Sequence, residues 1–146
     1  GYADVRERLP GQTLASGEHW YFANAFASAA RRKLVDIFQP DVLWCGGITA
    51  GQKICAIADA AGIQVIPHAS MNYPYGQHLA FAIPCVPWGE RSEGVSAPGV
   101  PLEEMVQIPG TPVIKDGYLT PSDAPGFGME ITQDWIASKT IHHRSS

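Results

Sequence analysis

Four ionisable residues each follow one of four predicted β-strands, and the four are Glu18, Asp41, His68 and Glu90. A carboxylate beside an imidazole fixes the imidazole tautomer and favours its protonated form, so Asp41 and His68 could form a general base that later returns its proton. The two glutamates would supply oxygen donors, one for a hard divalent cation and one for a hydrogen bond to developing charge. The set predicts acid–base chemistry at one edge of a sheet.

Each of these residues also has a purely structural interpretation. An Asp after a strand commonly serves as an N-cap or turn former, a His after a Pro is commonly structural, and a lone Glu is commonly solvated. Both interpretations of Asp41 stay open on the sequence alone. The recurrence of ionisable residues at four successive strand ends favours the functional one.

The order of elements indicates why these residues should meet. Buried strands are predicted near residues 12–16, 36–41, 63–67 and 86–89, and helices are predicted at 4–9, 24–38, 49–61 and 75–83. This β-α-β-α-β-α-β order is typical of parallel strands joined by right-handed crossovers. In such an array the strand carboxyl ends lie on one face, where barrel enzymes place their chemistry.

Composition excludes several classes of protein. The 146 residues carry a formal net charge of −4 and no basic footprint, which disfavours a nucleic-acid partner. No apolar run approaches the roughly 20 residues that cross a bilayer, so no membrane association is expected. Cys45, Cys55 and Cys85 are widely spaced in apolar surroundings, which is typical of reduced core thiols. The cytoplasm is the expected location.

The chain changes character after Arg91. Gly and Pro become dense, and Lys115-Asp116-Gly117 is a hairpin-type turn signal. Residues 92–146 are therefore predicted to be an irregular tail that needs another surface to lie on.

Four stretches of the sequence carry a family resemblance. They are "SGEHW" (16–20), "QPDVLWCGGIT" (39–49), "IPHAS" (66–70) and "PGFGMEI" (125–131). Together they resemble the C-terminal half of an enolase-superfamily barrel of the mandelate racemase subgroup, and within it most closely the L-rhamnonate dehydratase family. The interval from Asp41 to His68 matches the subgroup's His–Asp dyad.

The resemblance implies a role for each site residue. Glu18 would be the third magnesium-binding carboxylate, on barrel strand five, and His19 would be a further active-site histidine that binds substrate. Asp41 on strand six would orient His68 on strand seven, and His68 would be the catalytic acid/base. Glu90 on strand eight would form a hydrogen bond with the enediolate oxygen.

Two departures from the family pattern concern the last two strands. The family's seventh-strand motif usually reads Pro-His-Gly-Ser, where this chain has Ala69. The interval from His68 to Glu90 is also longer than in the family, which leaves Glu93 as a rival for the strand-eight carboxylate.

The activity implied by the resemblance is that of a magnesium-dependent acid-sugar dehydratase, a hydro-lyase that converts L-rhamnonate to 2-keto-3-deoxy-L-rhamnonate and water. Magnesium would bind the substrate carboxylate and lower the energy of the dianion formed by α-proton abstraction. The alternatives are another acid-sugar dehydratase or racemase of the superfamily, or an inactive barrel fragment that serves only as a folding or association module.

The expected fold class is α/β: residues 1–91 form the C-terminal half of a (β/α)8-type barrel, with parallel strands five to eight. Residues 92–146 form the irregular tail, which packs back on the barrel and on a capping domain. The resemblance implies that the family's capping domain, first barrel half and first two metal carboxylates are not in these 146 residues, so the chain is expected to be a fragment of a larger enzyme or one cleavage product that stays associated with the rest. A homo-oligomer with an acid-sugar substrate is expected.

Overall fold

A small parallel sheet lies at the centre of the chain. The computed structural model describes residues 1–92, 99–101, 104, 106 and 108–139. Its strands are β1 (Ala15–Ser16), β2 (Ile37–Phe38) and β3 (Gln64–Val65), and they pair in parallel in the order β1-β2-β3. Ile37 is opposite both Ala15 and Gln64. The predicted parallel, sequential order is confirmed for these three strands.

Five α-helices and one short 3-10 helix accompany the sheet in the described part of the chain. They are α1 (Tyr2–Arg8), α2 (Phe22–Arg31), α3 (Gly47–Ala60), the 3-10 turn Ser70–Asn72, α4 (Pro74–Ala82) and α5 (Gln133–Lys139). All four predicted helices form, with shifted ends. Helix α5 lies in the tail, where the sequence predicted only irregular structure.

Helix α2 ends earlier than predicted because the backbone reverses at Lys33, whose φ of 49° is left-handed. This reversal allows Val35 and Phe38, both buried, to enter the core. Helix α3 begins earlier than predicted. Its N-cap is Gly46, with a φ of 113° that favours glycine, and no side chain caps the helix.

All three strands are shorter than predicted, and β2 and β3 end early because prolines interrupt their hydrogen bonding. Pro40 has no N–H to donate toward β3, so the regular pairing of β2 with β3 stops before it, and Pro67 likewise has none to donate toward residues 85–90. The two backbone segments that follow β2 and β3 nevertheless stay side by side. The His68 N–H donates to the Pro40 carbonyl at 3.0 Å, and Asp41 and His68 form an isolated parallel bridge.

The predicted fourth strand over 86–89 is wrong, since this range of the described chain has no strand. Pro87 lacks a donor, and the segment is joined to its neighbours by only a few backbone hydrogen bonds. Among these, the Val65 N–H donates to the Cys85 carbonyl at 2.9 Å, and the Met71 N–H donates to the Glu90 carbonyl at 2.9 Å. Residues 85–90 therefore run beside β3 without continuing the ladder.

The core lies between the sheet and helices α2 and α3. Phe26 of α2, Phe38 of β2 and Ile54 of α3 are fully buried. The rings of Phe26 and Phe38 meet edge to face with centroids 5.2 Å apart, and Trp20 packs on Phe26 at 5.2 Å. Full burial of one such aromatic side chain contributes roughly 1.5–3 kcal/mol to the stability of the fold.

The described part of the tail folds back onto α4. Lys115 and Tyr118 exchange two backbone hydrogen bonds, which confirms the predicted hairpin turn. The Gln77 side-chain amide of α4 donates to the Pro112 carbonyl at 2.9 Å. Helix α4 is thus a surface of this same chain on which the tail lies.

Among the described residues, no helix combines the length and the apolar character that crossing a bilayer requires.

The turn after β1 depends on Gly17. Its φ is +134°, and a Cβ at this position would lie 2.8 Å from the Phe26 ring. We expect Gly17→Ala to lower the free energy of unfolding by about 1–3 kcal/mol, through backbone strain and overpacking. Thermal unfolding of the purified variant measures the loss.

Gly62→Ala is the matched control, since Gly62 also has a positive φ, +66°, but its Cβ would meet open space. An unfolding temperature for Gly17→Ala no lower than for Gly62→Ala would contradict the close packing of Gly17 on Phe26.

Candidate active site

The Asp41 and His68 side chains form a hydrogen-bonded pair at the carboxyl ends of β2 and β3. His68 Nδ1 lies 3.1 Å from Asp41 Oδ2, within the distance expected of a dyad. The parallel bridge between the two residues brings the side chains to the same face. Asp41 is only 9% exposed, so the pair is shielded from water on the carboxylate side.

Asp41 is also a turn former. Its Oδ1 accepts the Leu43 N–H at 2.7 Å, and its backbone carbonyl accepts the Cys45 N–H at 2.7 Å. The two interpretations that the sequence left open are therefore not exclusive. One carboxylate oxygen holds the turn and the other holds the imidazole, so the turn fixes the direction in which the carboxylate points.

Glu18 lies on the other side of His68. Its Oε1 is 3.5 Å from His68 Nε2 and 3.4 Å from His19 Nε2. The second imidazole nitrogen of His68 therefore faces a carboxylate. Glu18, His19, Asp41 and His68 therefore form one cluster.

His19 is more exposed than the rest of the cluster, with 65% of its side chain accessible. Its ring packs against Trp44, with centroids 4.7 Å apart. The loops that carry these rings are tied together, because the Phe22 N–H donates to the Cys45 carbonyl at 3.0 Å. Trp44 is a site neighbour that the sequence analysis missed, since its position follows from the turn after β2.

Glu90 does not join this cluster. Its N–H donates to Ser70 Oγ at 3.3 Å, and none of the contacts among the described residues links its carboxylate to Asp41 or His68. Its Oε2 is buried without a hydrogen-bond partner in that part of the chain. The rival residue, Glu93, lies outside the described residues.

Ala69 has a left-handed backbone with a φ of 48°. This is the position at which the resembled motif has glycine, and glycine adopts such a φ without steric strain. The departure from the motif therefore falls where a side chain is conformationally costly, directly beside His68.

Two tyrosines that the sequence analysis did not select line the cleft behind the dyad. Tyr73 and Tyr75 share this small cleft with Asp41 and His68. Burial raises the pKa of Tyr75 to about 12, and Tyr73 and the Asp41 charge act in the same direction. The Tyr75 phenol is therefore neutral at neutral pH. A Tyr-Pro-Tyr at the start of the helix that follows the His68 loop is the signal that could have identified them.

The cysteines are not candidates for nucleophilic chemistry. Cys45 and Cys55 are buried free thiols, and burial raises the pKa of both, that of Cys55 to about 12. A thiol with a raised pKa stays protonated and is a poor nucleophile.

A magnesium site is not completed by the part of the chain that the structure describes. No group of three or more His, Cys, Asp or Glu side chains there could hold a metal ion. Glu18 contributes one carboxylate and its neighbours are imidazoles, whereas Mg²⁺ selects oxygen ligands. Glu18 could serve as one ligand of a site whose other ligands come from elsewhere.

Comparison with known families gives one extended match. Residues 1–135 match the model of the enolase C-terminal domain-like family. Among individual proteins, the chain is 35% identical to the L-rhamnonate dehydratase of Saccharopolyspora erythraea, a match that covers 98% of this chain and 37% of that protein.

Two solved structures are also similar. The rhamnonate dehydratase of Gibberella zeae complexed with Mg superposes with a TM-score of 0.76 at 30% identity, and the match covers 93% of this chain and 34% of that one. The L-talarate dehydratase of a Polaromonas species, complexed with Mg and L-glucarate, gives a TM-score of 0.71 at 27% identity, with coverages of 93% and 35%. The chain spans about a third of the length of these relatives.

The donor set predicts weak metal binding by the 146-residue chain alone. We expect isothermal titration with Mg²⁺ to show no saturation below about 1 mM, because a single carboxylate cannot replace enough of the ion's hydration shell. Glu18→Gln should leave this titration unchanged. Tight, stoichiometric binding that Glu18→Gln abolishes would show that the chain holds a complete site.

Proposed function

The chain belongs to the enolase C-terminal domain-like family, and we propose that it is the acid/base-bearing part of a magnesium-dependent acid-sugar dehydratase. The proposed reaction is the conversion of L-rhamnonate to 2-keto-3-deoxy-L-rhamnonate and water. The L-rhamnonate dehydratase matched over 98% of this chain supports this substrate.

The observation that carries the proposal is the hydrogen bond between His68 Nδ1 and Asp41 Oδ2, 3.1 Å long. A carboxylate is acceptor-only when ionised, so the proton of this bond lies on Nδ1. The neutral imidazole then has its lone pair on Nε2, which is the tautomer that a general base needs. His68 is therefore prepared to accept a proton on the side that faces Glu18.

The proposed reaction uses His68 twice. Nε2 first removes the proton from the carbon next to the substrate carboxylate, and the carbon–hydrogen pair of electrons moves into an enediolate. The resulting imidazolium is stabilised by Asp41 on one side and Glu18 on the other. It then protonates the departing 3-hydroxyl, the carbon–oxygen bond breaks, and water leaves. The enol product tautomerises to the 2-keto-3-deoxy acid.

The remaining residues have supporting roles in the proposal. Glu18 contributes one ligand to Mg²⁺, and ligands from the rest of the enzyme complete the set. His19 contacts the substrate, which its exposure permits. Glu90 would form a hydrogen bond with the developing negative charge, and this role is supported by its Oε2, which is buried without a hydrogen-bond partner among the described residues. Glu93 remains the alternative at this position.

The complete enzyme is proposed to be larger than this chain. In the proposal β1, β2 and β3 are barrel strands five to seven, and residues 86–89 occupy the place of strand eight. Residues 1–91 would form this barrel half, and residues 92–146 would form a tail that packs on it and on a capping domain. The coverage of about a third of each relative supports a partner region that supplies the first barrel half. A homo-oligomer in the cytoplasm remains a prediction.

A second acid sugar is the alternative substrate. The L-talarate dehydratase similarity favours a related dehydratase or racemase that uses the same dyad on a different sugar acid. We expect the complete enzyme, tested on a panel of sugar acids, to have its highest kcat/KM with L-rhamnonate. That result would support L-rhamnonate as the substrate over the alternative.

Asp41→Asn in the complete enzyme should keep the fold and the Leu43 turn, because the amide oxygen can still accept that N–H. It removes the charge that supports the imidazolium, so we expect kcat to fall by roughly 10²–10⁴. Steady-state kinetics measures this loss. Asp59→Asn, at an exposed position on α3, is the control and should keep full activity. Near-normal turnover by Asp41→Asn would show that Asp41 is only a turn residue.

His68→Asn should abolish both α-proton exchange and dehydration, because one residue serves as base and then as acid. Proton NMR in deuterated water measures the exchange, and the yield of 2-keto acid measures dehydration. An enzyme that still exchanged the α-proton after His68→Asn would require a different base.

A further inference from the structure

The first turn of α4 forms one wall of the cleft that contains the dyad. Tyr73 and Tyr75 stack in parallel, with ring centroids 5.4 Å apart and planes 8° from each other. Both rings line this cleft with Asp41 and His68. The stack is therefore next to the acid/base pair.

The tail reaches the same wall. The ring of Phe127 meets Tyr75 edge to face at 6.4 Å and meets His78 at 5.6 Å. Phe127 belongs to the "PGFGMEI" stretch, for which the proposed reaction gives no role. Through Phe127 the tail contacts Tyr75, which lines the cleft of the dyad.

The position of Phe127 is held by a second attachment. Gln77, 1% exposed, donates one amide hydrogen to the Met71 carbonyl at 3.0 Å and the other to the Pro112 carbonyl at 2.9 Å. Residues 109–112 lie against residues 128–130, since the Glu130 N–H donates to the Pro109 carbonyl at 2.8 Å. The two tail segments therefore dock on α4 together.

The wall also changes the electrostatics of the dyad. Tyr75 stays neutral beside Asp41, since burial, Tyr73 and the Asp41 charge all raise the pKa of its phenol. A neutral aromatic wall excludes water from the carboxylate, and a lower local dielectric strengthens the Asp41–His68 interaction. Without the Tyr75 ring, water could compete with His68 for hydrogen bonding to Asp41 Oδ2. The His68 imidazole would then be held less firmly in its orientation.

We propose that Tyr75 is a positioning residue for the Asp41–His68 pair, and that Phe127 couples docking of tail residues 109–131 to the geometry of that pair. The inference rests on the proposed function for its effect on turnover. Tyr75 acts through the dyad and needs no contact with substrate. The tail thereby contributes to catalysis at a distance from the reacting atoms.

The kinetic test uses Tyr75→Leu and Tyr75→Phe in the complete enzyme. Tyr75→Leu should lower kcat at least about tenfold, because small misplacements of a catalytic group are costly, while KM changes within about twofold. Tyr75→Phe keeps the ring and should restore most of kcat. Phe81→Ala, 74% exposed on the same helix, is the control and should match wild type. Unchanged kcat for Tyr75→Leu would overturn the proposal.

The tail is tested with Phe127→Ala, which should lower kcat in the same direction as Tyr75→Leu. Tyr118→Ala removes a tail aromatic that is 81% exposed and should have no effect. Phe127→Tyr keeps the edge-to-face contact and should rescue activity. Equal losses from Phe127→Ala and Tyr118→Ala would overturn the specific coupling through Phe127.

A spectroscopic readout separates this inference from the proposed reaction. Side-chain 15N NMR of His68 at fixed pH reports its tautomer, which should be Nδ1-protonated in wild type and mixed in Tyr75→Leu and Phe127→Ala. An unchanged tautomer in both variants would overturn the coupling, even in an active dehydratase. A wild-type enzyme that turned over no sugar acid, with the tautomer shifting as expected, would refute the reaction and retain the coupling.

Discussion

The parallel register between β2 and β3 is the constraint on which the site depends. The pairing continues beyond Pro40 and Pro67 because the His68 N–H donates to the Pro40 carbonyl at 3.0 Å. Successive side chains of a strand point to opposite faces, so a slip of one residue would turn His68 away from Asp41. The site is therefore built into the backbone pairing, and the side-chain hydrogen bond follows from it.

Asp41 connects this register to the surrounding loops. One oxygen holds the turn that leads to α3 and the other holds His68, so the turn and the imidazole orient the same carboxylate. The turn also presents Trp44 to His19, and Gly17 allows the chain after β1 to bring Glu18 to the opposite side of His68. Three strand ends thus contribute to one cluster through short, well-defined turns.

The tail extends this dependence beyond the sheet. It has little core of its own, yet its described residues are attached to α4 through Gln77 and through Phe127. Helix α4 begins where the loop after His68 ends, so a surface that stabilises the tail is also a wall of the site. A segment that the sequence predicted as irregular thereby acquires a defined place relative to the dyad.

The sequence by itself determined the parallel α/β order and the positions of Glu18, Asp41 and His68 at strand ends, because strand periodicity and strand-end positions are local properties. It failed for residues 86–89, where Pro87 and sparse pairing prevent a strand, and for Glu90, which it grouped with the other strand-end residues although the structure leaves Glu90 outside the cluster. Only the tertiary structure decided that Asp41 serves a turn and a dyad at once, and that Tyr75 and Phe127 stand behind it. Those contacts join segments far apart in the chain, and no local pattern of residues encodes which distant surfaces will meet.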